Sequence, residues 1–441
     1  MRQLRLPAAL LAGMLAAASA QADTVVFENV RVFDGVSPEL SAPTTVVVRD
    51  NLIAAVGAAA GAEAYAVVID GAGRTLMPGL IDAHTHIAMS TMSVAELTTS
   101  DPTYVSVRAG TAASDMLMRG FTAARDVGGP VFGVKRAIDE GHIVGPRIWP
   151  SGAMVSQTSG HADFRQPGEL PWAEGDLHFS ERAGFAALAD GRDAVLRRVR
   201  EQLMLGASQI KVMAGGGVSS PHDPIDSNQY TADELRAAVE AAADWNTYVT
   251  VHAYTPRSIE AAVAAGVLCI EHGHLADDES AKMIADKGIW WSMQPFLDDE
   301  DAVPFPPGST SRAQQLEIIA GTDNAYALAK KYHVKLAWGT DTLFSARLAT
   351  RQGAQLAKMV RWFTPAEVLK MATHDNAELL ALSGPRSPYP GRLGVVEAGA
   401  LADLVLVDGD PLADIGLIAD PGRNFVVIMK DGEVYKNSVA P

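Results

Sequence analysis

Residues 82–86 read Asp82-Ala83-His84-Thr85-His86, directly after the apolar run Pro78–Ile81. In a β-strand, residues i and i+2 project to the same side, so His84 and His86 can bind one divalent ion together. Four more residues of ligand or proton-carrying type fall where an apolar run stops: Lys211 after SQI, His252 after YVTV, His272 after CIE and Asp341 after AWGT. The chemistry this points to is metal chemistry with nitrogen and oxygen donors. The one cysteine, Cys269, leaves no CxxC pair to hold a structural zinc and no partner for an intramolecular disulfide.

Six such residues act together only if the chain brings the ends of several strands to one place. Short apolar segments alternate with helical patterns such as Ala232–Ala243 and Arg257–Ala265, the signature of repeated βα units and a parallel sheet. Eight strands are expected, near Gly79–Ala83, Thr122–Arg125, Arg147–Ser151, Gln209–Lys211, Tyr248–Val251, Val267–Ile270, Trp290–Met293 and Leu336–Trp338. They predict a closed (β/α)8 TIM barrel over residues 77–384, with its sites at the C-terminal strand ends. The six residues then sit at one mouth, on strands one, four, five, six and eight. Long loops rich in Gly, Pro, Ser and Asp, at Gly152–Arg182, Val212–Tyr230 and Pro295–Arg312, are where substrate selection is expected.

The two chain ends read differently. Thr24–Phe33 and Thr44–Val56 alternate like strands around a turn at Asp50-Asn51, and Ala402–Val407 and Phe425–Met429 do the same before a turn at Asp431-Gly432. Residues 23–76 and 385–441 are expected to form one small β-sandwich. Residues 1–22 look like a processing signal: Arg2 and Arg5, the apolar run Leu6–Ala18, and small-residue cleavage sites at Ala18-Ser19-Ala20 and Ala20-Gln21-Ala22. The expectation is export, to the periplasm or beyond, with no membrane association after cleavage. With 36 basic and 52 acidic residues, the net charge of −16 repels nucleic acid and anionic lipid.

PGLIDAHTH, the strand-end lysine, the later histidines, GTD and the tail GVVEAGALADLVLVDGDPL together resemble the amidohydrolase superfamily. KVMAGGGVSSPHDP, IEHG and ATHDNAELLALSG are similar to its imidazolonepropionase-related and prolidase-like branch. That branch includes metal-dependent carboxypeptidases and Xaa-Pro dipeptidases acting on dipeptides and N-acyl amino acids, and ochratoxin-hydrolysing amidohydrolases. The resemblance implies two divalent ions, zinc being the natural choice for these donors, with cobalt, manganese or iron able to substitute. His84, His86 and Asp341 would hold one and His252 and His272 the other. Lys211 would bridge them as a carbamate formed with carbon dioxide, because an ammonium cannot ligate a cation. Such a centre activates water and polarises a carbonyl, and Asp341 would also move the proton to the leaving amine.

The expected activity is therefore hydrolysis of an amide bond releasing a C-terminal amino acid, with a small molecule or dipeptide as partner and a homo-oligomer as the assembly its relatives suggest. The alternatives are a cyclic-amide, lactone or carbamate hydrolase with the same metals, and a non-catalytic barrel. His161 in SGHAD and Tyr230 in SNQY are candidate substrate contacts; Arg165 and Arg182 read as solvated charges, His222 is unassigned and His274 is a supporting group for the site. His142, His178, His333 and His374 read as structural or surface residues. AGGGVSS lacks the Gly-Lys-Ser/Thr ending of a phosphate loop, and the acidic run Asp298–Asp301 reads as a solvated lid segment.

Overall fold

A computed structural model describes residues 24–57, 66–171, 176–220 and 222–439; the expected export signal at 1–22 lies outside the described residues. Strand Thr24–Val32 pairs antiparallel with Thr44–Arg49, which turns through Asp50-Asn51 into Leu52–Val56. From the other end of the chain, Leu404–Val407 lies antiparallel to Phe425–Lys430, which turns through Asp431-Gly432 into Glu433–Asn437. Thr75–Pro78 joins the two halves, parallel to Thr24–Val32 on one side and antiparallel to Leu404–Val407 on the other. Alternate residues, among them Phe27, Val46, Val48, Leu404 and Leu406, close a core of their own. The β-sandwich of both ends thus forms as expected, with Thr75–Pro78 running across the expected junction at residue 76.

Between these halves lie the eight barrel strands: Leu80–Thr85, Phe121–Asp126, Arg147–Pro150, Ile210–Met213, Val249–Ala253, Cys269–His272, Trp290–Met293 and Lys335–Trp338. Each falls where the apolar runs place it, and every pairing between them is parallel. Both faces of such strands are covered, which is why they are continuous apolar runs. The helices Ala232–Asp244 and Pro256–Ala265 also match, each opened by a threonine cap.

Strand three departs from expectation. It breaks at Ser151–Ala153, where Gly152 takes φ 76° and the Gln202 side chain accepts the Ala153 N–H at 2.9 Å. The chain then resumes as Met154–Ser156 beside strand four and a further short strand, Ala186–Leu188. The long loop expected at Gly152–Arg182 therefore carries a strand, a single turn at Pro167–Glu169 and the short helix Phe179–Arg182.

Closure between strands eight and one combines a backbone bond, Asp341 N–H to His84 O at 2.9 Å, with side-chain bridges. Asn376, inside the ATHDN segment, donates to Ile81 O at 2.7 Å and Trp338 O at 2.8 Å, stitching the two strands. A Cβ at Gly339 would lie 2.4 Å from His84 N, so only glycine lets strand eight approach the metal-ligand strand this closely. The buried Arg147–Asp403 pair at 2.9 Å ties barrel strand three to the sandwich. No helix of the described residues is long and apolar enough to cross a membrane.

Candidate metal centre

The C-terminal strand ends bring His84, His86, Lys211, His252, His272 and Asp341 to the floor of one open cavity. His84, His86 and Asp341 offer donor atoms that all lie within 4.8 Å of one another. Asp341 Oδ1 is 3.2 Å from His84 Nε2 and 3.4 Å from His86 Nε2. The His252 and His272 rings stand 4.6 Å apart between centroids, and His84 and His272 4.9 Å. His272 and Asp341 hold φ of 72° and 51°, a conformation that costs free energy for a residue with a Cβ and persists where the surroundings impose it. The strain lies at the two places where the chain turns off a strand to aim a side chain at the centre.

Each of the four imidazoles has one nitrogen tied to the protein and the other left over. His84 Nδ1 bonds to Glu271 Oε2 at 2.7 Å, His86 Nδ1 to Gly128 O at 3.0 Å, His272 Nδ1 to Gln294 Oε1 at 2.7 Å and His252 Nε2 to Gly216 O at 3.1 Å. Bonds of this kind fix tautomer and ring orientation, leaving the opposite nitrogen as a lone-pair donor. His84 Nε2 is buried and has no hydrogen-bond partner. Burial pushes the His86, His252 and His272 imidazoliums below the usual range, so these rings are neutral at pH 7. Against the opposing effect of burial, His84 and His86 hold the Asp341 carboxyl well below its usual value. Three neutral imidazoles, an ionised carboxylate and the orphaned buried nitrogen of His84 fit a divalent metal ion.

Beneath this layer lies a network that sequence reasoning passed over. Glu271, one residue before His272 and fully buried, accepts from Arg125 Nη2 at 2.5 Å as well as facing His84, and Thr250 Oγ1 donates to it. Arg125 also donates to Ala83 O at 2.6 Å and to the Tyr248 hydroxyl at 3.2 Å. Against the upward push of burial, Arg125 and His84 keep the Glu271 carboxyl well below its usual range. Asp82, two residues below His84 on the same strand face, accepts from Thr340 Oγ1 at 2.8 Å and from Gln352 at 3.0 Å, bracing the GTD turn. The available signal was a charged residue inside an otherwise apolar strand, in CIEH and in TAARD, since such a charge is buried only with a partner.

Cys269 lies in the same layer, 3.4 Å from Glu271 Oε1. Burial first, and then the Glu271 charge, push its thiol up to about 12. Thiolate is the reactive form, and at pH 8 only about one thiol in ten thousand is ionised. Native protein is therefore expected to take up no thiol-modifying reagent at pH 8, and unfolded protein one equivalent; rapid labelling of native protein would contradict the burial.

The other candidates divide. His161 reaches the cavity, stacked on His252 with centroids 4.2 Å apart, its Nδ1 2.8 Å from the buried Asp223 carboxylate and its Nε2 3.2 Å from Ser219 Oγ. Tyr230 does not: its ring packs in the main core, its hydroxyl is buried without a partner, and it is absent from the cavity lining. The tyrosine that does line the cavity is Tyr254, whose ring centroid is 5.0 Å from those of both His252 and His272. Its signal was its place two residues after His252, on the same side of the chain. His274 is buried behind Phe296 and bonds to Gln294 O at 2.9 Å, a supporting place.

Arg165 is not solvated; it pairs with Asp163 at 2.6 Å, both side chains 8% exposed. Arg182 donates to Leu177 O at 2.6 Å, and His222 lies outside the cavity. His178 caps the helix Phe179–Arg182, and His142, His333 and His374 stand outside the cavity. The acidic run keeps a solvated edge at Asp298 and Glu300 but is ion-paired throughout, with Asp301 buried: Asp298 pairs with Arg312, Asp299 with Lys358, Glu300 with Arg351, and Asp301 with both Arg351 and Lys358.

Comparison with known proteins agrees with this geometry. The family described as "Amidohydrolase family" matches residues 75–436. The chain is 33% identical over 404 residues to an ochratoxinase of Aspergillus niger, covering 89% of this chain and 82% of that protein. Among solved structures, an amidohydrolase superposes with a TM-score of 0.86 at 35% identity, covering 95% of this chain and all 100% of that one. A prolidase complexed with N-methylphosphonate-L-proline superposes with a TM-score of 0.84 at 34% identity, over 94% of this chain and 100% of that one. With the family match spanning the barrel and the C-terminal part of the sandwich, the chain belongs to the amidohydrolase family, in the branch that holds ochratoxinase and the prolidases.

Proposed function

We propose that the protein is an exported, binuclear metal-dependent hydrolase that releases the C-terminal amino acid from dipeptides or N-acyl amino acids. Hydrolysis of carbon–nitrogen bonds is the activity of its family; the substrate class rests on its likeness to an ochratoxinase and a prolidase. The observation that carries the reading is the convergence of four imidazoles, each with one nitrogen tied off and one free, on Asp341 and Lys211.

His84, His86 and Asp341 would hold one ion and His252 and His272 a second, with Lys211 between them. When bound, the ions supply Lewis acidity, lowering the pKa of water and polarising the scissile carbonyl. Burial lowers the Lys211 pKa, so more of the amine is neutral and able to add carbon dioxide as a carbamate. With Asp341 Oδ1 between His84 and His86, Oδ2 is the oxygen left to take the proton of the attacking water and pass it to the leaving nitrogen. His161, its Nδ1 held by Asp223 and its Nε2 beside Ser219 Oγ, faces the substrate cavity. Release of free amino acid from N-acyl amino acids and dipeptides tests the substrate class; turnover confined to lactones or cyclic amides would overturn it. Processing after residue 22, read by mass spectrometry of the protein recovered from the periplasm or medium, tests export.

Glu271 sets the orientation of His84, so Glu271→Gln is expected to weaken metal binding about 10- to 100-fold in competition with a chelator. It also leaves Arg125 buried without its carboxylate, and the unfolding midpoint should fall. Unchanged metal affinity would contradict the role assigned to it.

A further inference from the structure

The segment from Pro295 to Ser309 leaves barrel strand seven, crosses the mouth of the cavity and enters the long helix Thr310–Lys331. It presents two chemistries. Phe296, Leu297, Val303 and Phe305 face the cavity, with Phe296 stacked over His274 at 4.8 Å and lying 6.2 Å from the His272 ring. Facing them across the cavity are Met89, Met154, Phe164 and Phe344. Among the described residues that line the cavity, Lys211, on the floor, is the only lysine or arginine.

The acidic tip of the same segment is bound to the opposite side. Arg351 Nη2 reaches Glu300 at 2.5 Å, Lys358 Nζ reaches Asp299 at 2.6 Å, both cations contact Asp301, and Arg347 donates to the Glu300 carbonyl at 2.8 Å. The flanks are held by the long helix: Thr322 donates to Phe296 O at 2.9 Å, Gln315 to Val303 O at 2.9 Å, and Arg312 pairs with Asp298 at 2.7 Å. The segment is a strap, fixed at its flanks to one wall and latched at its tip to the helix-rich stretch after strand eight. The Asp301 side chain is only 5% exposed. A carboxylate so placed tolerates burial because two cations neutralise it; without them it must move out to water.

We propose that this strap forms a subsite for a large apolar, preferably aromatic, group of the substrate, and that Arg351 and Lys358 are positioning residues that hold its wall closed through Asp301. The inference rests on the amide-hydrolase reading for its kinetic test and on binding alone for a second. Neither cation lines the cavity, so their removal acts on the wall and leaves the reacting groups in place.

The test compares wild type, R351Q/K358Q, the charge-relieved D301N/R351Q/K358Q and the conservative R351K/K358R on two substrates, N-benzoyl-L-phenylalanine and N-acetylglycine. Hydrogen exchange across residues 296–305 is followed in parallel. R351Q/K358Q is expected to raise KM for the aromatic substrate about tenfold or more, with kcat changed less than about twofold and N-acetylglycine kinetics unaffected. Exchange in the strap should accelerate. D301N in that background, by removing the uncompensated charge, should return both readouts toward wild type, and R351K/K358R should stay near it. Equal losses on both substrates, a fall in kcat without a change in KM, or an unchanged KM would overturn the proposal. If wild type hydrolyses neither compound, the assigned substrate class fails, and calorimetric binding of N-benzoyl-L-phenylalanine decides the subsite. Binding that weakens about tenfold in R351Q/K358Q supports it; no binding to wild type, or equal binding to both, overturns it.

Discussion

Asp341→Asn is expected to lower kcat for amide hydrolysis by at least about 10²-fold while the protein folds normally. The fold is preserved because asparagine has nearly the same shape and is among the few residues that accept the φ of 51° required here. Chemistry is lost because two roles sit on one carboxylate. Oδ1 faces His84 and His86 at 3.2 and 3.4 Å, where an ionised oxygen is needed, and an amide is neutral and cannot shuttle a proton. The carboxyl is held well below its usual pKa, so it is ionised and able to accept a proton throughout the neutral range. Comparing kcat, metal content and the unfolding midpoint separates the roles. Near-normal turnover in Asp341→Asn would refute its part in the reaction.

Lys211→Ala carries the second large effect: activity is expected to fall by orders of magnitude together with metal occupancy. Lys211 is 1% exposed on the floor of the cavity, and burial lowers its pKa, an expensive place for a charged amine with only a structural task. As a carbamate it would offer two oxygens between the His84/His86 and His252/His272 pairs. Short-chain carboxylic acids such as propionate fit the space that the truncated side chain leaves and supply the same two oxygens. Partial recovery of metal and activity with propionate would support the carbamate; unchanged metal content in the alanine variant would remove Lys211 from the ligand set.

The parts of this account that were legible in sequence are those written locally. A strand-end residue follows directly from where an apolar run stops, so all eight strands and the six residues at their ends could be placed without coordinates. What escaped depends on pairing between distant segments. Gln294 orients His272 across 22 positions of sequence and Glu271 orients His84 across 187, Arg125 holds Glu271 across 146, and Asp301 meets Arg351 fifty residues on. Tyr230 and Tyr254 show the same limit at short range: Tyr230, in a left-handed turn of φ 64° just before the helix Ala232–Asp244, packs its ring in the core, while Tyr254, directly after strand five, stays beside the histidines. The break in strand three is similar, since it turns on Gln202, on the helix Arg192–Leu205, accepting the backbone N–H of Ala153.

Metal analysis of the purified protein, coupled to amine release before and after chelation, bears most directly on the central claim. The account predicts close to two equivalents of divalent metal, release of amino acid from an N-acyl amino acid or dipeptide, loss of that activity when the metal is removed, and recovery when it is returned. Full amide hydrolysis by metal-free protein, or a full metal complement with no amide hydrolysed, would contradict it.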